Sequence, residues 1–210
     1  MPKCAHLLLK ENGQKNLKFK AKFIYLISPI NINAKFFYKL ESVLKSNKVY
    51  YFQLRLKNTP EHKIISYSIK IKKICKKYKV KFIINDNPRI AKKVAADGCH
   101  IGQSDTNVNE ARKVLRNKII GVTCHNSKKL AKKAIKDGAD YVAIGAFNIS
   151  KTKRTKYKAG LSDLIKIRKI SNKPIVAIGG INQKNYKKLL LNKADFLAIS
   201  SFIWKNKKLK

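Results

Sequence analysis

The feature that most constrains the fold of this chain is an alternation, repeated eight times, between short apolar runs and longer amphipathic segments. The runs are rich in β-branched and aromatic residues. Several are apolar at nearly every position, as is typical of parallel strands covered on both faces. They occupy residues 23–28, 49–57, 81–86, 98–103, 119–124, 141–147, 174–180 and 196–203. Eight strands separated by helices favour a closed barrel over an open sheet.

The segments between the runs carry helical signals. From Ser127 to Gly138, apolar residues recur with helical spacing, and the serine and the glycine are suited to begin and end a helix. Pro88 occupies a typical first helical position. The sequence therefore predicts an α/β fold, a single-domain TIM (β/α)8 barrel over residues 23–210. Residues 1–22 are expected to form an N-terminal extension packed on the barrel, and the last helix is expected to be short.

Hydropathy and cysteine content indicate the cellular compartment. No run of about 18 apolar residues exists, so no transmembrane helix is predicted. The apolar patch near the N-terminus is too short for a secretory signal. The cysteines are Cys4, Cys75, Cys99 and Cys124, without C-x-x-C spacing, and we interpret them as reduced core thiols. These observations predict a cytoplasmic protein with no membrane partner.

The net charge of +38 has two readings. Of the 49 basic residues all but six are lysine, and they are scattered along the chain together with abundant asparagine and isoleucine. These three residue types have AT-rich codons, so genome composition is one explanation, and a polyanion-binding surface is the other. Because no nucleic-acid-binding motif occurs, we expect no specific nucleic-acid partner. Any such binding should be weak, non-specific and lost with salt.

Polar residues cluster where the predicted strands end, which is where TIM barrels build their active sites. Gln53, Arg55 and Lys57 alternate along the second run and should share a face. Asn85 and Asp86 end the third run. The other polar strand ends are Gln103 with Asp105, Thr123, the Gly179–Gly180 pair, and Ser200 with Ser201.

These residue types suit phosphate and metal chemistry. Carboxylates at adjacent strand ends are suited to Mg²⁺, although Asp86 and Asp105 could equally cap the helices that begin near residues 88 and 108. Arginine and lysine suit phosphate oxygens. The glycine pair fits a phosphate site or a tight turn. We interpret His100 as a structural histidine of the barrel.

The stretch GAFNISKTKRTKYKAG, residues 145–160, is a basic, hydroxyl-rich segment that follows an apolar run. A surface loop is one interpretation. The other is a loop that closes over a substrate and neutralises its phosphates with Ser150, Thr152 and Lys153.

Five stretches in order carry a family resemblance: FQLRLK, FIINDNPRIAKKVAADGCHIGQSD, GVTCHNS, GAFNISKTK and IVAIGGI. Together they resemble the thiamine-phosphate synthase (thiamine-phosphate pyrophosphorylase) family, a single-domain TIM barrel, from about residue 23 to residue 203. The resemblance implies a transferase of thiamine biosynthesis. Such an enzyme joins 4-amino-2-methyl-5-hydroxymethylpyrimidine diphosphate to 4-methyl-5-(2-phosphoethyl)thiazole. Thiamine phosphate and pyrophosphate are the products, and Mg²⁺ assists.

The resemblance also implies residue roles. Arg55, Thr123 and Lys153 are implied to be catalytic, and Asp86 and Asp105 to bind Mg²⁺. The implied substrate-binding residues are Gln53, Arg55, Lys57, Asn85, Thr123, Ser150, Thr152, Lys153, Gly180, Ser200 and Ser201.

The chain departs from the family pattern at three places. Ala146 and Ser150 stand where proline and threonine are usual, and Ser28-Pro29 replaces a common Thr-Asp. Two other functions stay open from the sequence. One is a related TIM-barrel thiazole tautomerase, which would not need Asp86, Asp105 or Lys153. The other is a basic nucleic-acid-binding protein. The sequence leaves the oligomeric state open, a homo-oligomer included.

Overall fold

Eight parallel strands, each followed by a helix, appear in the computed structural model, which describes residues 21–148 and 156–205. The strands are β1 Ile24–Ile27, β2 Val49–Leu54, β3 Lys81–Asn85, β4 Gly98–Ile101, β5 Ile119–His125, β6 Tyr141–Gly145, β7 Ile175–Ile178 and β8 Phe196–Ile199. The helices are α1 Ala34–Leu44, α2 Glu61–Lys77, α3 Pro88–Lys93, α4 Val108–Leu115, α5 Lys128–Lys136, α6 Leu161–Arg168, α7 Tyr186–Leu191 and α8 Ser201–Trp204. The strands form a closed barrel in chain order, and β8 pairs with β1. The predicted TIM barrel is confirmed.

Helix boundaries follow the local signals in the sequence. Ser127 caps α5, because its side chain accepts a hydrogen bond from the Leu130 N–H at 3.2 Å. Gly138 lies beyond the end of that helix with φ of +96°. Pro88 is the first residue of α3, as predicted. In the two described ranges no helix is long and apolar enough to cross a membrane.

Strand β2 is shorter than the sequence indicated. It ends at Leu54, so Arg55 and Lys57 follow the strand instead of belonging to it. The reason is a side chain: the Ser28 hydroxyl accepts a hydrogen bond from the Arg55 N–H at 2.9 Å and donates to the Arg55 carbonyl at 3.3 Å. The side chain of the buried Ser28 thus takes the place of the next backbone hydrogen bonds between β1 and β2.

The core has two layers. The larger layer lies between the sheet and the helices, and the smaller one fills the barrel. Three buried tyrosines, Tyr25, Tyr51 and Tyr141, contribute to the inner layer. Space for the Tyr141 ring comes from glycine, because a Cβ at Gly121 would approach that ring to 1.8 Å. The barrel interior is therefore a packed floor beneath the carboxyl ends of the strands.

The amino-terminal face of the barrel carries a repeated bracket. An aspartate before β4, β6 or β8 donates its backbone N–H to the preceding strand and accepts an N–H of that strand on its carboxylate. The carboxylate contacts are Asp97 with Phe82, Asp140 with Ile120 and Asp195 with Ile175, each at 2.8 Å. Residues on this face of a β/α barrel mostly serve stability, and this geometry fits such a role.

An arginine reinforces the last of these brackets. Arg168 forms an ion pair with Asp195 and donates to the carbonyls of Ser171, Lys173 and Lys193 at 3.2–3.3 Å. We expect Arg168→Ala to lower the free energy of unfolding by about 1–3 kcal/mol, because several backbone acceptors lose a charged donor. Chemical denaturation measures this, with the exposed Arg89→Ala as the control. Equal stability of both variants would contradict the bracket's role.

The three cysteines in the described residues are buried, as the sequence predicted. Cys75, Cys99 and Cys124 are buried and unbonded to one another, and Cys4 lies outside the described residues. Burial raises the pKa of each of the three thiols, to about 12 at Cys124. They are protonated and unreactive at neutral pH.

Candidate active site

A cavity of about 600 Å³ opens at the carboxyl ends of the strands. Every predicted site residue that the structure describes lines it. These residues are Gln53, Arg55, Lys57, Asn85, Asp86, Asp105, Thr123, Gly180, Ser200 and Ser201. The floor of the cavity is the inner core layer, and its rim comes from the segments that follow the strands. A space of this size and composition accommodates small organic molecules.

Two carboxylates lie on one side of the cavity, and neither caps a helix. Asn87 caps α3 and Asn107 caps α4, each accepting a backbone N–H on its side-chain oxygen at 3.0 Å. The alternative that Asp86 and Asp105 are helix caps is therefore wrong. The polar residue nearer to each helix takes that role and leaves the aspartate available to the cavity.

Backbone contacts fix both carboxylates in place. Asp86 has φ of +63°, and its N–H donates to the His100 carbonyl at 2.7 Å. Asp105 accepts the Gly102 N–H at 2.7 Å. A Cβ at Gly102 would lie only 2.8 Å from this carboxylate oxygen, so glycine permits the close approach.

The two carboxylates influence each other electrostatically. Partial burial, followed by the neighbouring Asp86, raises the pKa of Asp105, and the Gly102 N–H and Lys57 oppose that rise. Lys57 forms an ion pair with Asp86. Two neighbouring carboxylates beside the side-chain amide of Asn85 form a set of hard oxygen donors that fits Mg²⁺.

The cationic side of the cavity begins where β2 ends. The Ser28 hydroxyl holds the Arg55 backbone at both its N–H and its carbonyl. Arg55 is half-buried and Lys57 is exposed. The guanidinium and the ammonium thus follow the same strand on the wall that carries Asp86. Arginine in this position is suited to bind two oxygens of a phosphate group.

Glycines and serines form the opposite wall. Gly179 and Gly180 have φ of +96° and +60°, and a Cβ at Gly179 would lie 2.4 Å from that of Ala146. The Asn185 amide donates to the Gly180 carbonyl at 2.9 Å, which fixes the turn. Glycine is therefore required both by the backbone conformation and by the neighbouring segment.

The β8–β1 seam uses one of the predicted binding residues. The Ser200 hydroxyl donates to the Ser28 carbonyl at 3.1 Å, and the Trp204 indole N–H donates to the Ile27 carbonyl at 2.5 Å. Ser200 therefore closes the barrel as well as lining the cavity, while its oxygen can still accept a hydrogen bond from a ligand.

A chain of polar side chains at the cavity floor was missed by the sequence reasoning. Gln53, Tyr25, Tyr141, His100 and Thr123 are joined by consecutive hydrogen bonds of 2.8–3.0 Å. The tyrosines appear in the sequence as ordinary members of apolar strands. The available signal was the glycine at position 121 of β5, which makes room for the Tyr141 ring.

The segment after β6 is tied to the cavity wall at both described ends. The Ala159 N–H donates to the Ala146 carbonyl at 2.9 Å, and the Tyr157 ring stacks on His125 with centroids 3.9 Å apart. Outside the described residues lie Ser150, Thr152 and Lys153.

Comparisons with known proteins agree on one family. A family model described as thiamine monophosphate synthase matches residues 24–203. A thiamine-phosphate synthase of Pelagibacter ubique is 60% identical over 197 residues, 93% of this chain and 95% of that protein. One of Erythrobacter litoralis is 40% identical over 86% of this chain and 87% of that protein.

A solved structure agrees with these sequence matches. Thiamine phosphate pyrophosphorylase from Pyrococcus furiosus superposes with a TM-score of 0.79 at 27% identity, covering 90% of each chain. The sequence matches and this superposition both extend over nearly the whole barrel. The chain belongs to the thiamine monophosphate synthase family.

Proposed function

We propose that this chain synthesises thiamine phosphate. It would join 4-amino-2-methyl-5-hydroxymethylpyrimidine diphosphate to 4-methyl-5-(2-phosphoethyl)thiazole and release pyrophosphate. One observation carries the proposal: in a chain of this family, the carboxylate pair, the cations and the glycine–serine wall all line one cavity. Each of these groups matches a different part of the two substrates.

The diphosphate belongs on the Arg55 side of the cavity. Arg55 and Lys57 supply positive charge, and Asp86 and Asp105 would hold Mg²⁺. In the described ranges no group of three or more histidine, cysteine or acidic residues forms a metal cluster. A site with two carboxylates is typical of Mg²⁺, because water molecules and substrate phosphate oxygens complete the coordination shell of the ion. When bound there, the ion would offset charge on the departing pyrophosphate.

The thiazole phosphate belongs on the opposite wall. Gly179 and Gly180 bring backbone close to the cavity without side chains, and Ser200 and Ser201 add hydroxyls. A phosphate site built from the last two strand ends is a common feature of TIM barrels. The arrangement would hold the two substrates at opposite ends of one cavity, with their reacting atoms between.

The bond-making step needs no general base from the protein. The thiazole nitrogen attacks with its own lone pair and forms a bond to the pyrimidine methylene carbon. The carbon–oxygen bond to the diphosphate breaks, and its electron pair leaves with pyrophosphate. The protein's contribution is then to orient both substrates and to stabilise the leaving charge. This explains why the site is rich in cations and hydroxyls.

The direct test is an incubation of the purified chain with both substrates and Mg²⁺. We expect thiamine phosphate and pyrophosphate to appear in equal amounts, and neither product to form when one substrate is omitted. Chromatography of the products measures this. Conversion of a thiazole precursor to an isomer, without any coupled product, would instead favour a tautomerase.

Lys153 tests the proposed role of the segment after β6. We expect Lys153→Ala to lower kcat/KM for the pyrimidine diphosphate about tenfold or more, because one positive charge near the diphosphate is lost. Lys158→Ala, an exposed lysine of the same segment, is the matched control and should keep its rate. Wild-type kinetics of Lys153→Ala at subsaturating substrate would remove this residue from the site.

A further inference from the structure

The polar chain on the cavity floor crosses the barrel. The Gln53 amide Nε2 lies 3.0 Å from the Tyr25 hydroxyl, which lies 2.8 Å from the Tyr141 hydroxyl. Tyr141 in turn lies 2.9 Å from His100 Nδ1, and His100 Nε2 lies 2.8 Å from Thr123 Oγ1. Five strands, β1, β2, β4, β5 and β6, each contribute one member. Thr123 is the member for which the family resemblance implies a catalytic role.

The Gln53 amide fixes the donor-to-acceptor direction of these hydrogen bonds. Its nitrogen can only donate, so the Tyr25 oxygen accepts there and its proton is available to Tyr141. Tyr141 then donates its own proton to His100 Nδ1. A neutral imidazole that accepts at Nδ1 carries its proton at Nε2, which therefore donates to Thr123. Burial raises the pKa of both tyrosines, so each keeps the proton that it donates.

We infer that His100 is a positioning residue, held by Tyr141 as the Nε2–H tautomer, and that it makes the Thr123 hydroxyl a donor toward the substrate. The inference rests on the proposed function for the identity of that substrate. Thr123 accepts one hydrogen bond from His100, so its own proton points elsewhere. The substrate atom that it meets is then an acceptor, either a pyrimidine nitrogen or a phosphate oxygen.

The backbone of Thr123 is fixed independently. The Gln103 amide donates to the Thr123 carbonyl at 2.5 Å. The β5–β6 register shifts between Thr123 and His125, a bulge of the kind that reorients side chains beside active sites. With the backbone held by these contacts and the side-chain oxygen held by His100, the hydroxyl proton is the remaining freedom. His100 thus determines where the Thr123 hydroxyl proton points.

The tautomer can be measured without any assay of activity. In ¹⁵N-histidine-labelled full-length protein at pH 7.5, long-range ¹H–¹⁵N spectra should show His100 with its proton on Nε2, assigned by its absence in His100→Gln. In Tyr141→Phe, which removes the partner at Nδ1, we expect a mixture of tautomers. A wild-type His100 protonated at Nδ1, or at both nitrogens, overturns the inference, as does an unchanged spectrum in a folded Tyr141→Phe.

Kinetics then separate positioning from a structural role. We expect His100→Asn and Thr123→Val each to lower kcat about fivefold to tenfold, the range for one lost hydrogen bond. The double variant should be no slower than Thr123→Val alone. His100→Gln, which can place a donor near the Nε2 position, should recover part of the rate. Additive losses, or no recovery in His100→Gln, overturn the inference. If the wild type forms no thiamine phosphate, the proposed function is overturned. The spectra would then still test the His100 tautomer by themselves.

Discussion

Asp86→Asn and Asp105→Asn should each lower the rate of thiamine phosphate formation about 100-fold or more, because each would remove a charged ligand of the proposed Mg²⁺, which would offset charge on the leaving group. The fold should survive, since Asn87 and Asn107, not these aspartates, cap the adjacent helices. Product formation measured against Mg²⁺ concentration, together with thermal melts, tests both expectations.

The pH dependence of stability provides a second readout for Asp105. Its folded-state pKa is raised, first by burial and then by Asp86, so the native state favours the protonated form. In metal-free protein this group therefore costs stability as pH rises from the ordinary aspartate pKa through the raised value. Asp105→Asn should remove that loss. At a pH above this range, added Mg²⁺ should raise the melting temperature of the wild type. It should not raise the melting temperature of Asp86→Asn or Asp105→Asn.

A matched control separates the metal site from general charge effects. Asp137 pairs with Lys133 one helical turn earlier and lies outside the cavity lining. Asp137→Asn should keep both its rate and its response to Mg²⁺. Full activity of the wild type in EDTA would refute the metal site. Unfolding of Asp86→Asn or Asp105→Asn under conditions in which Asp137→Asn is stable would make the two aspartates structural.

Arg55→Gln should lower kcat/KM for the pyrimidine diphosphate by about 100-fold, because a preorganised cation at the diphosphate is lost. Arg55→Lys should recover only part of this, since an ammonium cannot bind two oxygens as the planar guanidinium does. Ser28 holds the backbone at this position through main-chain atoms, so neither change should alter the end of β2.

Steady-state kinetics with each substrate varied in turn measure the effect of Arg55. The KM for the thiazole phosphate should change little, because we propose that this phosphate binds at the opposite wall. Arg89→Gln is the control, an exposed arginine on α3. Equal losses for both substrates would contradict the proposed division of the cavity, and wild-type kinetics in Arg55→Gln would exclude the residue from binding.

The fold was predictable because its signals are local and repeated. Each apolar run has the composition of a strand buried on both faces, although several strands end before their runs do, and the end of the last run belongs to α8. The boundary of β2 was wrong because it depends on a distant side chain. Nothing in the sequence around Arg55 shows that Ser28 will take its N–H and carbonyl.

The described residues that line the cavity were predictable from the sequence, and their contacts were less so. Asp86 stands beside Asn87, and both are good capping residues, so the sequence alone could not decide which one faces the cavity. The distance to the helix start decides it. Tyr25 and Tyr141 were not recognised because a tyrosine in a strand looks the same whether its hydroxyl lies in a network or at the surface. Only the closed barrel brings the two hydroxyls within 2.8 Å.

The contacts between β8 and β1 also determine when, during its synthesis, this protein can close its barrel and form the cavity. Ser200 and Trp204, in the last turn of the described chain, bond to the end of the first strand, and residues of both strands line the cavity. A ribosome must therefore release almost the entire barrel before its two edges can meet. Until then the nascent chain has two open sheet edges, which are sites of aggregation. Truncation before Phe196 would remove β8 and leave the edges of β1 and β7 exposed.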